Sequence, residues 1–362
     1  MSHSSSVSCS AAVCIVAVLT VASAPVAASA PHTLERVQIT ATRSDELALE
    51  VPVAVTVIDQ EEILRRVPQT GVDLLHGEPG TYVQQTTPGQ GVVIIRGLKG
   101  SEVLHLVDGF RLNNAFFRNA PNQYLALVDP LNLERVEAVR GPMSTLYGSD
   151  AMGGVVQFLT PEPRFNGADW SSRGLLRARY SSGDRSDHTR AAFAFGREGF
   201  GLSGGVSHQQ VRDRRVGGGE RLPYTDYSQR SADLKLLLTP ASGHELMLSL
   251  QTSEQPKTPR HDALVPGFGQ SIAESDEFWF MPQEREFAQL RYRYQQPLVF
   301  ADSIELQLGQ QKIVDARTTR DHAAPYRDRE RNRSTLRGFT AQANKALAGA
   351  HMLTWGVEYY TD

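Results

Sequence analysis

The chain is 362 residues long, room for two ordinary domains and a sizeable core. Its formal charge of −3 gives no case for nucleic acid, whose binders show a basic balance or a basic stripe. Both cysteines, Cys9 and Cys14, fall in the first 30 residues. If that stretch is removed, no thiol remains for a disulfide or a nucleophile.

Residues 11–22, AAVCIVAVLTVA, form an apolar run of the length expected for the core of an export signal. The small residues Val26-Ala27-Ala28 offer a cleavage point before Ser29, so residues 1–28 read as a signal peptide. The preceding MSHSSS lacks the usual Lys or Arg, but Pro25 and the many Ala and Ser residues argue against a membrane anchor. No later segment approaches the ~20 apolar residues of a spanning helix. Entry into a membrane would therefore be as a barrel.

A polar leader follows at 29–46, then a zone at 47–163 that mixes strands with short helices. It contains PVAVTVI (52–58), a helical QEEILRR (60–66), GVDLLHGEP (71–79) and VVIIRG (92–97). In EVLHLVDGFRLN, Asp108-Gly109 is the signal for a two-residue type I′ turn between alternating strands. ERVEAVRGPMSTLYGSDAMGGVVQFLT (134–160) runs from an alternating strand through an Arg-Gly-Pro corner and a helical turn to a Gly-Gly pair and a second apolar strand. Pro161 and Pro163 close this α+β zone.

From about residue 171 to the end, 164–362 as a zone, the texture is period-two alternation. Leu176, Ala178 and Tyr180 oppose Arg177 and Arg179. Leu234, Leu236 and Leu238 oppose Asp233 and Lys235, and Leu290, Tyr292 and Tyr294 oppose Gln289, Arg291 and Arg293. Leu353, Trp355, Val357 and Tyr359 oppose Thr354, Gly356 and Glu358. Roughly nine such segments occur, each a strand with one apolar and one polar face. Long connections (211–227, 253–283, 317–332) alternate with short ones (Glu198-Gly199, 240–243, 296–302, 347–350). A soluble sandwich has no reason for that asymmetry, whereas an outer-membrane barrel has long loops on one rim and tight turns on the other.

The string 134–160 closely resembles the end of the plug domain of TonB-dependent outer-membrane receptors. IIRGLKG (94–100) and LHLVDGFRLN (104–113) are plug-like in the same order. ERVQITATR (35–43) resembles the TonB box, with Glu35, Arg36, Val37, Gln38, Ile39, Thr40 and Ala41 as its core. Such a box works by strand addition, which asks for an extended, β-prone segment. The resemblance implies an α+β plug domain followed by an antiparallel transmembrane β-barrel, in the outer membrane of a Gram-negative cell, with about nine of an expected ~22 strands present. It implies active uptake of a scarce large ligand (a ferric siderophore, haem or cobalamin), gated by the plug. It also implies the periplasmic partner TonB with its inner-membrane complex, contact with outer-membrane lipid, and no enzyme activity or cofactor of its own.

The arginines matching Arg96 and Arg140 are expected to tie the plug to barrel carboxylates. Ligand contacts are expected in the loops 85–91 and 113–123, at Gln85, Gln90, Asn113, Asn114, Phe116, Phe117, Arg118 and Asn119. His208, His261, His322 and Tyr326 are candidates for a haem site. No metal-ligand spacing and no catalytic cluster is present in the sequence, and VGGGE (216–220) is not followed by the strand-to-helix step of a phosphate cradle. An open sheet leaves its edge groups unpaired in lipid. The chain is accordingly expected to be an N-terminal portion of a longer receptor, unable to transport by itself. The alternative reading is a passive porin-like or structural barrel, which needs neither a plug nor a box.

Overall fold

The computed structural model describes residues 38–39, 43–45, 53–347 and 351–362. The expected signal peptide and both cysteines lie outside the described residues. The first described elements are a short antiparallel pair, β1 (Gln38–Ile39) and β2 (Ser44–Asp45).

The inner body begins with β3 (Ala54–Asp59) and α1 (Gln60–Arg66). The helix starts where the Asp59 carboxylate accepts the Glu62 amide at 2.8 Å. Glu61 and Glu62 lie in its first turn and Arg65 and Arg66 in its last, as the helix dipole favours. It stops at Val67, in the left-handed region. A 3₁₀ turn over Gly71–Leu75 leads to β4 (Thr81–Gln84), β5 (Val92–Ile95) and β6 (Leu98–Lys99), a small antiparallel sheet.

The expected hairpin forms as β7 (Val103–Val107) and β8 (Phe110–Arg111), and Asp108 and Gly109 have the positive φ angles (49° and 83°) that a type I′ turn requires. Next come β9 (Arg135–Arg140), α2 (Ser144–Tyr147) and β10 (Gly154–Leu159), giving a five-stranded sheet in the order β3-β9-β10-β7-β8. A side chain at Gly154 would sit 2.2 Å from the Val139 carbonyl, so only glycine lets β10 lie so close to β9. Ile58, Ile63, Val72, Leu74, Val107, Val136, Val156 and Phe158 fill the core between sheet and helix.

Outside this body stands a wall of consecutive antiparallel strands. They are β11 (Ser171–Ser181), β12 (Ser186–Arg197), β13 (Phe200–Val211), β14 (Tyr227–Ala241), β15 (His244–Gln255), β17 (Ser275–Tyr294), β18 (Ser303–Asp321), β19 (Asp328–Ala346) and β20 (Met352–Thr361). The short β16 (Thr258–Pro259) pairs with β17 and leads into α3 (His261–Leu264). The nine long strands match the alternation. One connection differs: the expected long loop at 317–332 is mostly strand, because β18 and β19 continue as a hairpin to Asp321 and Asp328. Arg317 and Glu330, directly opposite, pair at 2.6 Å and carry the ladder outward.

The polarity of the wall is the reverse of a soluble sheet. Leu176, Leu234, Leu290, Trp355 and Tyr359 are exposed on its outer side. Lys235, Ser249, Gln289, Arg291 and Gln311 are buried on its inner side against the central body. That is the pattern of lipid outside and polar packing within. No helix among the described residues is long and apolar enough to cross a membrane, which says nothing of a crossing by strands.

Candidate functional site

The two loops expected to meet a ligand are joined to each other. Gly91 and Asn122 exchange backbone hydrogen bonds at 2.8 and 3.2 Å, and the Gln123 amide donates to Gln90 at 3.1 Å. This cross-link limits which residues face outward. Gln90 and Asn113 are buried and serve the loops' own architecture. Asn113 accepts the His105 amide at 2.9 Å and donates to the Val103 carbonyl at 3.0 Å, closing the edge of β7.

Phe117 is buried, stacked on His105 with ring centroids 5.4 Å apart, and also packs against Tyr124 at 5.0 Å. Burial pushes His105 down to about 4, against the hydrogen bond to Asn113 that favours its charged form. Gln85 is half-buried and donates to Asp73 at 3.0 Å. Asn119 is exposed but accepts from the Ser101 amide at 2.8 Å. Phe116 lies half-buried against Tyr124, and Asn114 is half-buried with both amide atoms unpartnered. Three of the eight expected contact residues, Gln90, Asn113 and Phe117, are thus inside, because loop closure and aromatic burial claim them first.

Arg118 bridges the inner body and the wall. Its guanidinium lies 3.2 Å from Asp315 of β18, a carboxylate that also accepts the Tyr124 hydroxyl at 2.7 Å and the Gln283 amide at 3.1 Å. The guanidinium also sits over the Phe280 ring at 5.3 Å. Further polar anchors ring the body. Asp108 takes four donors: the Thr160 amide (2.9 Å), the Thr160 hydroxyl (2.7 Å), Gln251 of β15 (3.1 Å) and Lys235 of β14 (3.2 Å). Asp129 meets Ser207 at 2.5 Å, His188 at 3.4 Å and Arg190 at 3.4 Å. Glu162 pairs with Arg291 at 2.5 Å, and Arg164 reaches Glu245 at 2.7 Å.

Two anchors are apolar: Phe110, at the hairpin tip, packs with Phe287, Leu336 and Tyr360 over Gly309 and Gly338 of the wall, and Ile313 of β18 joins the core of the central body. Sequence reasoning missed these anchors. Asp108 and Phe110 were legible only as turn residues, and the lone carboxylates Asp129 and Glu162 gave no signal at all.

The expected ion pairs of Arg96 and Arg140 are not formed with the described part of the wall. Arg140 at the end of β9 donates to Thr56 of β3 at 2.5 Å, inside the central body. Arg96 is exposed at a turn with φ of 51°. Among the described residues neither meets a carboxylate of the wall, since each sits where the inner sheets turn.

Of the expected TonB box only Gln38 and Ile39 are described, as β1; Glu35, Arg36, Val37, Thr40 and Ala41 lie outside the described residues. Directly after the box, Arg43 stacks 4.0 Å over Tyr147 of the body and forms an ion pair with Glu358 of β20. Its carbonyl accepts from Gln342 at 2.6 Å.

The haem candidates do not converge. His208 is exposed on the outer side of β13, His261 contacts the Pro223 carbonyl at 2.8 Å, His322 pairs with Asp276 at 2.9 Å, and Tyr326 is exposed. Among the described residues no group of three metal-ligating side chains occurs.

Glu162 makes the interface pH-dependent. Burial works against its charge, but Arg291, Arg164 and Arg293 outweigh that and hold the carboxyl far below the usual range. A depressed carboxyl stabilises the fold above the unfolded-state value of ~4.3, and that contribution is lost as the pH falls through and below it. Glu162→Gln is expected to lower the melting temperature at pH 7 and to flatten its decline between pH 5 and pH 3. Parallel melting curves of the two proteins across that window would refute the assignment.

Residues 48–155 match the family model of the TonB-dependent receptor plug domain. The chain is 33% identical over 179 residues to the vitamin B12 transporter BtuB of Vibrio vulnificus, covering 46% of this chain and 28% of that protein. It is 35% identical over 182 residues to the hemin receptor of Yersinia pestis, covering 47% of this chain and 25% of that one. The solved structure of the copper transporter OprC superposes with a TM-score of 0.71 over 85% of this chain and 48% of its own length, at 18% identity, which is a likeness of fold. The chain spans 25–28% of the length of these two curated relatives in the matched region.

Proposed function

We propose that this chain, whose residues 48–155 match the plug domain of TonB-dependent receptors, serves energy-driven import across the outer membrane of a large ligand, an iron chelate, haem or cobalamin. In this reading 47–163 is the plug and 164–362 the barrel portion, preceded by a signal peptide (1–28) and a leader with the TonB box (29–46). The observation that carries the proposal is the ring of polar anchors between plug and barrel. Asp108, Asp129, Glu162 and Arg118 seat the plug through hydrogen bonds and ion pairs, which a pull can exchange for water.

Ligand contact falls to Asn114, Phe116, Arg118, Asn119 and Gln85, which are at least partly open on the linked loops. A ligand drawing Arg118 away from Asp315 would loosen one anchor at the same time. The box offers TonB an extended strand, and Arg43 fixes the chain just behind it, so a pull on the box reaches Tyr147 of the plug directly.

The test is uptake and binding of labelled ligand by cells expressing the protein from its own gene, with and without Ile39→Pro. Proline removes an amide donor from the pairing strand. Uptake is expected to fall at least tenfold while surface binding persists. Undiminished uptake would point instead to a passive, porin-like channel.

A further inference from the structure

The inner face of the wall holds a buried cation without a counter-charge. Arg285 of β17 is wholly buried, and no carboxylate lies within ion-pair distance of it among the described residues. Two neutral amides hold it instead: it donates to Gln311 at 2.9 Å and to Gln251 at 3.0 Å, with its guanidinium 5.0 Å from the Phe287 ring centre. Its remaining nitrogen, Nη2, has no hydrogen-bond partner. A buried charge in that condition is costly, and an unsatisfied buried donor calls for a reason.

Its neighbours supply one. Two positions earlier on the same face of β17, Gln283 is equally buried, and its Oε1 has no donor. The amide nitrogen of Gln283 donates at 3.1 Å to its register partner Asp315 of β18, the carboxylate that Arg118 of the loop 113–123 neutralises at 3.2 Å. Arg285 stands opposite Ile313, so Asp315 is its diagonal neighbour, within reach of a long side chain. On the other side, Gln251 of β15 accepts from Arg285 and donates to Asp108 at 3.1 Å. The chain Arg118, Asp315, Gln283, Arg285, Gln251, Asp108 is therefore continuous except for one link. That link has a free acceptor on one side and a free donor on the other.

The balance of this chain depends on Arg118. Tyr124 and Gln283 give Asp315 hydrogen bonds but no charge. With Arg118 withdrawn, a buried carboxylate without a cation would stand diagonally opposite a buried cation without a carboxylate. Away from water such a pair attracts strongly, and leaving either member alone is costly.

We propose that Arg285 is a positioning residue with two stations: on Gln251 while Arg118 covers Asp315, and on Asp315 when a ligand draws Arg118 away. The move takes a donor from Gln251, lets that amide turn, and removes one of the four donors on Asp108. Arrival of a ligand at the loops thereby loosens the hairpin tip through the wall. The proposal rests on the reading that Arg118 meets the imported ligand. The exchange of partners needs no ligand, because substitution of Arg118 vacates the same place.

The experiment follows amide hydrogen exchange in the protein, expressed from its own gene and purified in mild detergent. Two amides are read: Thr160, which donates to Asp108, and Leu131, which donates to Asp129 at a separate anchor, each at 2.9 Å. Arg118→Gln and Asp315→Asn break the same ion pair from opposite sides. Arg118→Gln leaves a bare carboxylate and should speed exchange at Thr160 by about tenfold, the scale of one lost hydrogen bond to a charged group, with Leu131 unchanged. Asp315→Asn leaves nothing to attract Arg285, so both amides should keep their wild-type rates. In an Arg285→Gln background, Arg118→Gln should no longer alter Thr160. Equal acceleration by Arg118→Gln and Asp315→Asn, joint acceleration of Thr160 and Leu131, or an unchanged Thr160 in Arg118→Gln would overturn the proposal. So would an undiminished effect of Arg118→Gln without Arg285. If Arg285→Gln does not fold, the contrast between the first two variants decides alone. No ligand is added, so failure here leaves the import reading standing. Uptake undiminished by Ile39→Pro would remove that reading and leave these exchange rates as they are.

Discussion

Asp108→Ala is expected to destabilise the docked plug by about 3–5 kcal/mol, the scale for removing one member of a buried charge pair. Asp108 and Lys235 are almost wholly buried, with side-chain exposures of 3% and 5%. Alanine leaves the Lys235 ammonium without its counter-charge and the Thr160 amide without its acceptor. Alanine is also poorly suited to the positive φ of 49° at this turn, whereas asparagine tolerates it. Asp108→Asn should therefore cost less, since its one amide oxygen can still accept the Thr160 amide, although its NH2 then faces the Gln251 and Lys235 donors. Adding Lys235→Met to Asp108→Ala should recover part of the loss, because an apolar side chain needs no partner. The readout is hydrogen exchange of the Thr160 amide together with the melting temperature. A change below about 1 kcal/mol in Asp108→Ala would mean that the plug is held elsewhere.

Phe110→Ala should be comparably severe, about 3–5 kcal/mol for a buried ring. Phe110 is 1% exposed at the hairpin tip and packs edge-on to Tyr360 at 5.4 Å and tilted to Phe287 at 5.6 Å. Its fit depends on absent side chains: a Cβ at Gly309 would lie 2.4 Å from the ring, and one at Gly338 would lie 2.8 Å from it. Gly309→Ala is then expected to mimic much of the damage by pushing the ring out, although alanine suits a strand at least as well as glycine. Combining Gly309→Ala with Phe110→Leu should recover stability relative to Gly309→Ala alone, as the smaller side chain yields room. Melting curves of the wild type, Gly309→Ala, Phe110→Leu and the double variant form a double-mutant cycle. Simple additivity would show that ring and notch do not meet.

Much of this architecture was legible because it is local. Asp108-Gly109 announced its turn, QEEILRR read as a helix, and period-two alternation announced the nine wall strands and which face each presents. The partners across the interface were not legible. Asp108 and Lys235, or Arg118 and Asp315, are far apart in sequence, and no local rule joins them. The same limit applies to Arg140, which meets Thr56 on the neighbouring strand.

Loop residues were misjudged for a different reason. Gln90 and Asn113 look like ligand-contacting polar groups in sequence, yet a tight loop needs internal donors and acceptors and takes them first. The hairpin over 317–332 was expected as a long connection. Strand propensity there is supplied by cross-strand pairing of opposite charges, as between Arg317 and Glu330.

The inward polarity of the wall has a consequence for movement. A domain seated on leucine and valine can leave its socket only by exposing oily surface, and the socket left behind tends to collapse. Here the socket is furnished largely with glutamine, arginine, aspartate and serine, groups for which water is an acceptable substitute companion. Withdrawing the plug would flood the space it occupied, and each anchor would be handed over to solvent one bond at a time. Phe110 and, from the wall, Ile313 of β18 are exceptions among the described residues, greasy pegs in a largely wettable socket. Their release, unlike that of the polar anchors, gains nothing from the arriving water.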